Sequence, residues 1–136
     1  MGGWLADRGQ WLRGGALQKV TIRLTRDMLE LAYDLLCATP PFDKWNLPAG
    51  EDVQFKVTRS DDVRGDYYRD ENGRHVIRIS SRCNGTLASL IGTMAHEMIH
   101  LHESQNCTAT RSQHNAAFRK FAEIVCRIHR FDAKAF

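Results

Sequence analysis

From Thr25 to Cys37 the apolar residues Met28, Leu31, Ala32, Leu35 and Leu36 recur at intervals of three and four. That spacing stacks them along one side of an α-helix and predicts an amphipathic one. Thr25 stands where an N-cap is needed, because its hydroxyl can accept one of the N–H groups the first turn leaves over, and Pro40-Pro41 stops the run. Residues 40–51, with three prolines, Gly50 and Trp45, read as an irregular connection. The period then changes. Val53, Phe55 and Val57 alternate with Gln54, Lys56 and Thr58, the pattern of a half-buried strand. Further strands are expected over about Val63 to Arg69 and Arg74 to Ser80, joined by a hairpin at Asn72-Gly73, where both residues tolerate positive φ.

The helical period returns after Asn84-Gly85. Thr86 can cap a helix from Leu87 to about Glu103, with Leu87, Leu90, Ile91, Met94, Met98 and Leu101 in one stripe. A polar loop from Ser104 to Arg111 follows, and Ser112 can cap a last helix ending near His129. The order predicts one α+β domain of residues 24–136: a helix, a three-stranded antiparallel sheet and two helices. Residues 1–23 read as an N-terminal arm. Its Trp4, Leu5, Trp11 and Leu12 lie a heptad apart, and it is expected to pack on the domain.

Within the second long helix stands His96-Glu97-Met98-Ile99-His100. Four residues are about one turn, so both imidazoles project from one side and can share a single metal ion. The glutamate of such a helix does not bind the metal. It serves as the base that takes a proton from the attacking water. The apolar stripe falls on the other side, so the helix is expected to pack on one face and present His96, His100 and Glu103 on the opposite one.

A catalytic zinc usually takes three protein ligands, and the candidates for the third are His114, Glu103, His102, Glu123 and His129. His114 is preferred, because it leads the last helix on the side that carries Phe118, Phe121, Ala122 and Val125. Glu123 falls off that stripe. Glu103 lies roughly 10 Å of helix rise from His96, too far to chelate with both histidines but suited to accept a hydrogen bond from a ligand.

The strand from Arg74 to Ser80, the helix with Met94-Ala95-His96-Glu97-Met98-Ile99-His100-Leu101, and His114-Asn115-Ala116-Ala117-Phe118 together resemble the SprT-like metalloproteases, relatives of the Spartan proteases that act on DNA–protein crosslinks. The resemblance spans about residues 24 to 130. It implies a zincin-like fold, zinc on His96, His100 and His114, Glu97 as general base, and protein or peptide substrates, some of them DNA-associated. The C-terminal zinc ribbon that such proteins often carry is not expected here, since Cys126 is the lone cysteine of that region.

Composition adds limits. The chain of 136 residues allows one core, and a net charge of +3 permits weak DNA association without arguing for it. Arg119, Lys120, Arg127 and Arg130 read as a solvated helix face. The four cysteines form no Cys-x-x-Cys pair, which points to a reducing compartment. Nothing reads as a signal or membrane span, and Ala6 spoils a myristoylation motif at Gly2. A cytoplasmic protein is expected, or a nuclear one in a eukaryote.

Peptide hydrolysis is the leading expectation, with an extended substrate laid along a sheet edge and limited side-chain selectivity. Tyr67 or Tyr68 is a candidate oxyanion donor, and Cys107 a thiol that could approach the metal. A zinc-stabilised nucleic-acid or protein-binding module without turnover, and a hydrolase of non-peptide substrates, are the alternatives.

Overall fold

The computed structural model describes residues 21–107 and 114–136. The N-terminal arm, apart from residues 21–23, and the cap at Ser112 lie outside the described residues. The elements are α1 (Arg26–Cys37), two short 3-10 turns (Phe42–Lys44 and Gly50–Asp52), β1 (Val53–Thr58), β2 (Gly65–Arg69), β3 (His75–Ser80), α2 (Leu87–Gln105) and α3 (Ala116–His129). The class is α+β, as the patterning predicts.

Thr25 caps α1 by accepting from the Met28 N–H. The buried face of α1 is displaced from the expected stripe. Leu29, Ala32, Tyr33 and Leu36 are buried, while Leu31 and Leu35 stand 67% and 60% exposed. Both sets have helical spacing. Tyr33 decides between them, because its ring packs on Phe55 of β1 and its hydroxyl donates to the Pro48 carbonyl at 2.6 Å. A tyrosine that satisfies its polar end can serve as core.

The sheet is mixed, with strand order β1-β3-β2, and this corrects the antiparallel expectation. β2 and β3 form the antiparallel hairpin, whereas β1 pairs with β3 in parallel. The reason lies in β3, whose Val76, Ile77 and Ile79 are fully buried. So apolar a strand is most stable in the middle, and the more polar β1 and β2 take the edges. The 59–64 connection passes the end of β3, where the Ser80 N–H donates to the Arg64 carbonyl at 2.8 Å and its hydroxyl to the Ser60 carbonyl at 2.5 Å. In the hairpin, Gly73 takes φ 77°. β2 starts at Gly65 rather than Val63, which is 49% exposed.

α2 is the axis of the domain, packed against α1, β2, β3 and α3. Thr86 caps it in a reciprocal box with Ser89. Leu90, Met94, Ala95, Met98, Ile99 and Leu101 are all at most 1% exposed. The opposite side is not open to solvent as expected: Glu97 and Glu103 are 5% and 2% exposed, while Leu87 is half exposed. The α3 helix and the segment after it cover that side. Leu101→Ala removes a fully buried side chain between the sheet and helices, and should lower unfolding stability by about 2–5 kcal/mol in urea titrations.

No helix of the described residues is long and apolar enough to cross a membrane. The four cysteines are free thiols.

Candidate metal centre

His96 and His100 stand one turn apart in the middle of α2, half-buried where α3 crosses it. His114 comes from the residue before the α3 cap, exposed on one side. The three offer nitrogen atoms that all lie within 4.8 Å of one another. His96 Nε2 and His114 Nε2 are 3.2 Å apart. Two nitrogens about 2.0–2.1 Å from a tetrahedral ion stand roughly 3.3 Å apart, so this pair already has the separation that one ion requires. The three histidines are close enough to hold a metal ion.

Neighbouring groups fix these rings. His96 Nδ1 donates to the Phe136 backbone oxygen at 2.6 Å, which leaves Nε2 as the lone-pair donor aimed at the cluster. Phe118 is 4% exposed and its ring centroid lies 4.9, 4.5 and 4.7 Å from those of His96, His100 and His114, so one aromatic plate supports all three. Burial pushes His96 down to about 4, partly offset by the Phe136 bond, with His114 lowering it further. Burial likewise brings His100 to about 4, with His96 and His114 adding to the effect. Both imidazoles are therefore neutral at pH 7, the state in which they can be ligands.

Asn115, rather than Ser112, caps α3. Its side-chain oxygen accepts from the Phe118 N–H at 2.8 Å. Asn115 also hydrogen-bonds the side chain of Glu103. Burial raises the Glu103 carboxyl, and the Asn115 bond and the nearby His114 pull it back. Glu103 thus ties α2 to the start of α3, beside the residue that carries the third imidazole. The signal for Asn115 was in the sequence, since asparagine before a helical run is among the best caps. Asn115→Ala should cost about 1 kcal/mol of stability. By loosening His114 it should also weaken zinc binding roughly tenfold in a chelator competition titration.

Glu97 points to the other side of the cluster. It is 5% exposed and its carboxyl makes no hydrogen bond with a described residue. It lines a cleft of about 630 Å³ together with His96, Gly65 of β2 and the segment after α3. Burial pushes its carboxyl up to about 8, with the Asp66 charge adding to the rise. Thr93, one turn before Glu97 on α2, also lines the cleft and is held by Asn84. The Thr93 hydroxyl donates to Asn84 Oδ1 at 2.7 Å, and the Asn84 amide donates to the Arg64 and Ser80 carbonyls, both at 2.9 Å. Gly65 lets β2 approach closely, since a Cβ there would lie 2.9 Å from Thr93 Cγ2.

The chain matches no protein-family model and no curated protein.

The remaining candidates have other partners. His102 stacks on Trp45, with centroids 4.2 Å apart, and His129 reaches the Pro40 carbonyl at 2.8 Å. Glu123 is exposed, as its position off the stripe implies. Cys107 is exposed at the end of α2 and is not in the histidine cluster. The Tyr67 hydroxyl is within 2.7 Å of His75 Nδ1, and Arg78 lies over the Tyr68 ring. Among the described residues neither tyrosine lines the cleft. Arg119, Lys120, Arg127 and Arg130 are exposed.

Proposed function

We propose that this protein is a zinc metallopeptidase of the SprT-like kind, with His96, His100 and His114 as metal ligands and Glu97 as general base. The observation that carries the reading is Glu97 itself: a buried carboxyl with no hydrogen bond to a described residue, lining a cleft beside a three-histidine cluster. A carboxyl so placed lines the space where a reacting molecule would sit. A domain using the metal only for stability has no need of it.

Three imidazoles suit zinc, which accepts nitrogen ligands and a fourth, open position. Bound there, zinc supplies Lewis acidity, polarising a peptide carbonyl and making water a better nucleophile at neutral pH. Glu97 takes the proton of the attacking water on its carboxylate oxygen and returns it to the departing amide nitrogen. Burial raises this carboxyl to about 8, and the positive charge of an ion held by the adjacent histidines would favour the carboxylate form that takes the proton. Among the described residues no strand pairs with the outer edge of β2. An extended peptide can add there as a further strand, taking its backbone hydrogen bonds from Gly65–Arg69. The link to DNA-associated substrates rests on the resemblance alone.

The test is incubation of zinc-loaded protein with an unfolded protein, followed by detection of new N-termini. Cleavage that stops with chelator and returns with zinc is the expected result. A protein that holds one zinc and cuts no peptide bond would overturn the proposal in favour of a binding module, or of a hydrolase acting on another bond.

A further inference from the structure

The cleft beside Glu97 has a built shape beyond what holding a metal requires. Its floor is one face of α2, where Ala88, Gly92 and His96 follow each other at four-residue spacing. Gly92 lies inside the helix, where glycine is among the poorest formers, yet no described residue lies within 4 Å of where its Cβ would stand. Among the described residues, no neighbour demands a glycine there. What the missing side chain leaves open is the cleft.

The far wall comes from the segment after α3. Phe131 and Phe136 stack with centroids 5.9 Å apart, and the Phe136 ring lies 5.2 Å from that of His96. Backbone N–H groups hold this wall: Phe131 donates to the Cys126 carbonyl, Ala135 and Phe136 to the Asp132 carbonyl, and Lys134 to Asp132 Oδ1. The result is a pocket with an aromatic wall and a small-residue floor, closed at one end by Glu97 and His96, with Arg64, Arg130 and Asp132 also in its lining.

The direction of a bound peptide decides which residue enters it. β2 and α2 run the same way, since Gly65 abuts Thr93 while the Arg69 guanidinium donates to the Ser104 hydroxyl at 3.0 Å. A peptide pairing antiparallel with β2, the more stable arrangement, enters at the Arg69 end and leaves at the Gly65 end. The cleft extends from His96 toward Ala88, the Gly65 end. We infer that this cleft is a specificity pocket selecting a bulky apolar side chain, such as leucine, phenylalanine or methionine, on the residue immediately after the cleaved bond. This rests on the peptidase reading above and replaces the expectation of limited side-chain selectivity.

The test maps cleavage sites of zinc-loaded protein on a mixture of unfolded proteins by mass spectrometry. Wild type should cut before leucine, phenylalanine or methionine at least about tenfold more often than before glycine or aspartate. Gly92→Leu starts a side chain where its Cβ meets no described residue within 4 Å, and should move the preference to glycine, alanine and serine. Gly92→Ala should keep the wild-type preference. In a separate readout, zinc-loaded Glu97→Gln should bind a peptide with phenylalanine at that position at least tenfold tighter than its glycine counterpart, and adding Gly92→Leu should erase the difference. Cuts without enrichment, or enriched on the residue before the bond, would overturn the pocket while leaving the peptidase intact. Absence of any cut, with zinc bound, would overturn both.

Discussion

Glu97→Gln should keep one zinc per chain and lose about 10²–10⁴-fold in the rate of peptide cleavage. The two halves of this result come from separate features. Among the described residues the metal cluster is composed of His96, His100 and His114, so a change at Glu97 leaves each of these ligands in place. Glutamine has the shape of a protonated glutamic acid, so no cavity opens at a site that is 5% exposed. The carboxyl has no hydrogen bond with a described residue to lose, and the fold should melt at the wild-type temperature or above it. What disappears is the carboxylate that lines the cleft beside His96 and can take a proton there. Elemental analysis, a melting curve and an assay for new N-termini together check it. A variant that retains zinc and cuts at the wild-type rate would remove Glu97 from the chemistry.

The site was legible in the sequence where its chemistry is local. His96 and His100 are paired by the pitch of one helix, and Glu97 follows from their spacing, so no tertiary information was needed. Capping residues Thr25 and Thr86 were legible for the same reason. His114 was harder, since its approach depends on how α3 crosses α2, and the apolar stripe of α3 gave the direction. Beyond that, local pattern ran out. Two overlapping stripes on α1 were equally helical, and the choice between them depended on Tyr33 finding the Pro48 carbonyl, 15 residues away in the chain. The parallel pairing of β1 with β3 follows from competition for the centre of the sheet, which no single strand reveals. The burial of Glu97 and Glu103 comes from α3 and the segment after it closing over α2. Phe136 was invisible as a support for His96, because its contribution is a backbone oxygen and carries no side-chain signature.

His114→Ala should abolish stable zinc binding while leaving the metal-free fold unchanged. As an exposed side chain before the cap of α3, His114 contributes little to packing, and its loss should shift metal-free stability by no more than about 0.5 kcal/mol. Its nitrogen, however, stands 3.2 Å from that of His96, and removing it leaves two protein ligands where a catalytic zinc needs three. The fall in affinity should exceed the roughly 10–100-fold that losing an outer hydrogen-bond partner costs. The cleanest readout is linkage. With zinc at about 100 times the dissociation constant, wild type should gain roughly 2.7 kcal/mol of stability, whereas His114→Ala should gain almost none at the same concentration. His102→Ala provides the contrast, because that ring stacks on Trp45, away from the cluster. It should lose packing stability and keep the full increment from zinc. If instead His114→Ala retained that increment and His102→Ala lost it, the third ligand would have to be sought on the Trp45 side of α2, and the cleft beside Glu97 would no longer adjoin the metal.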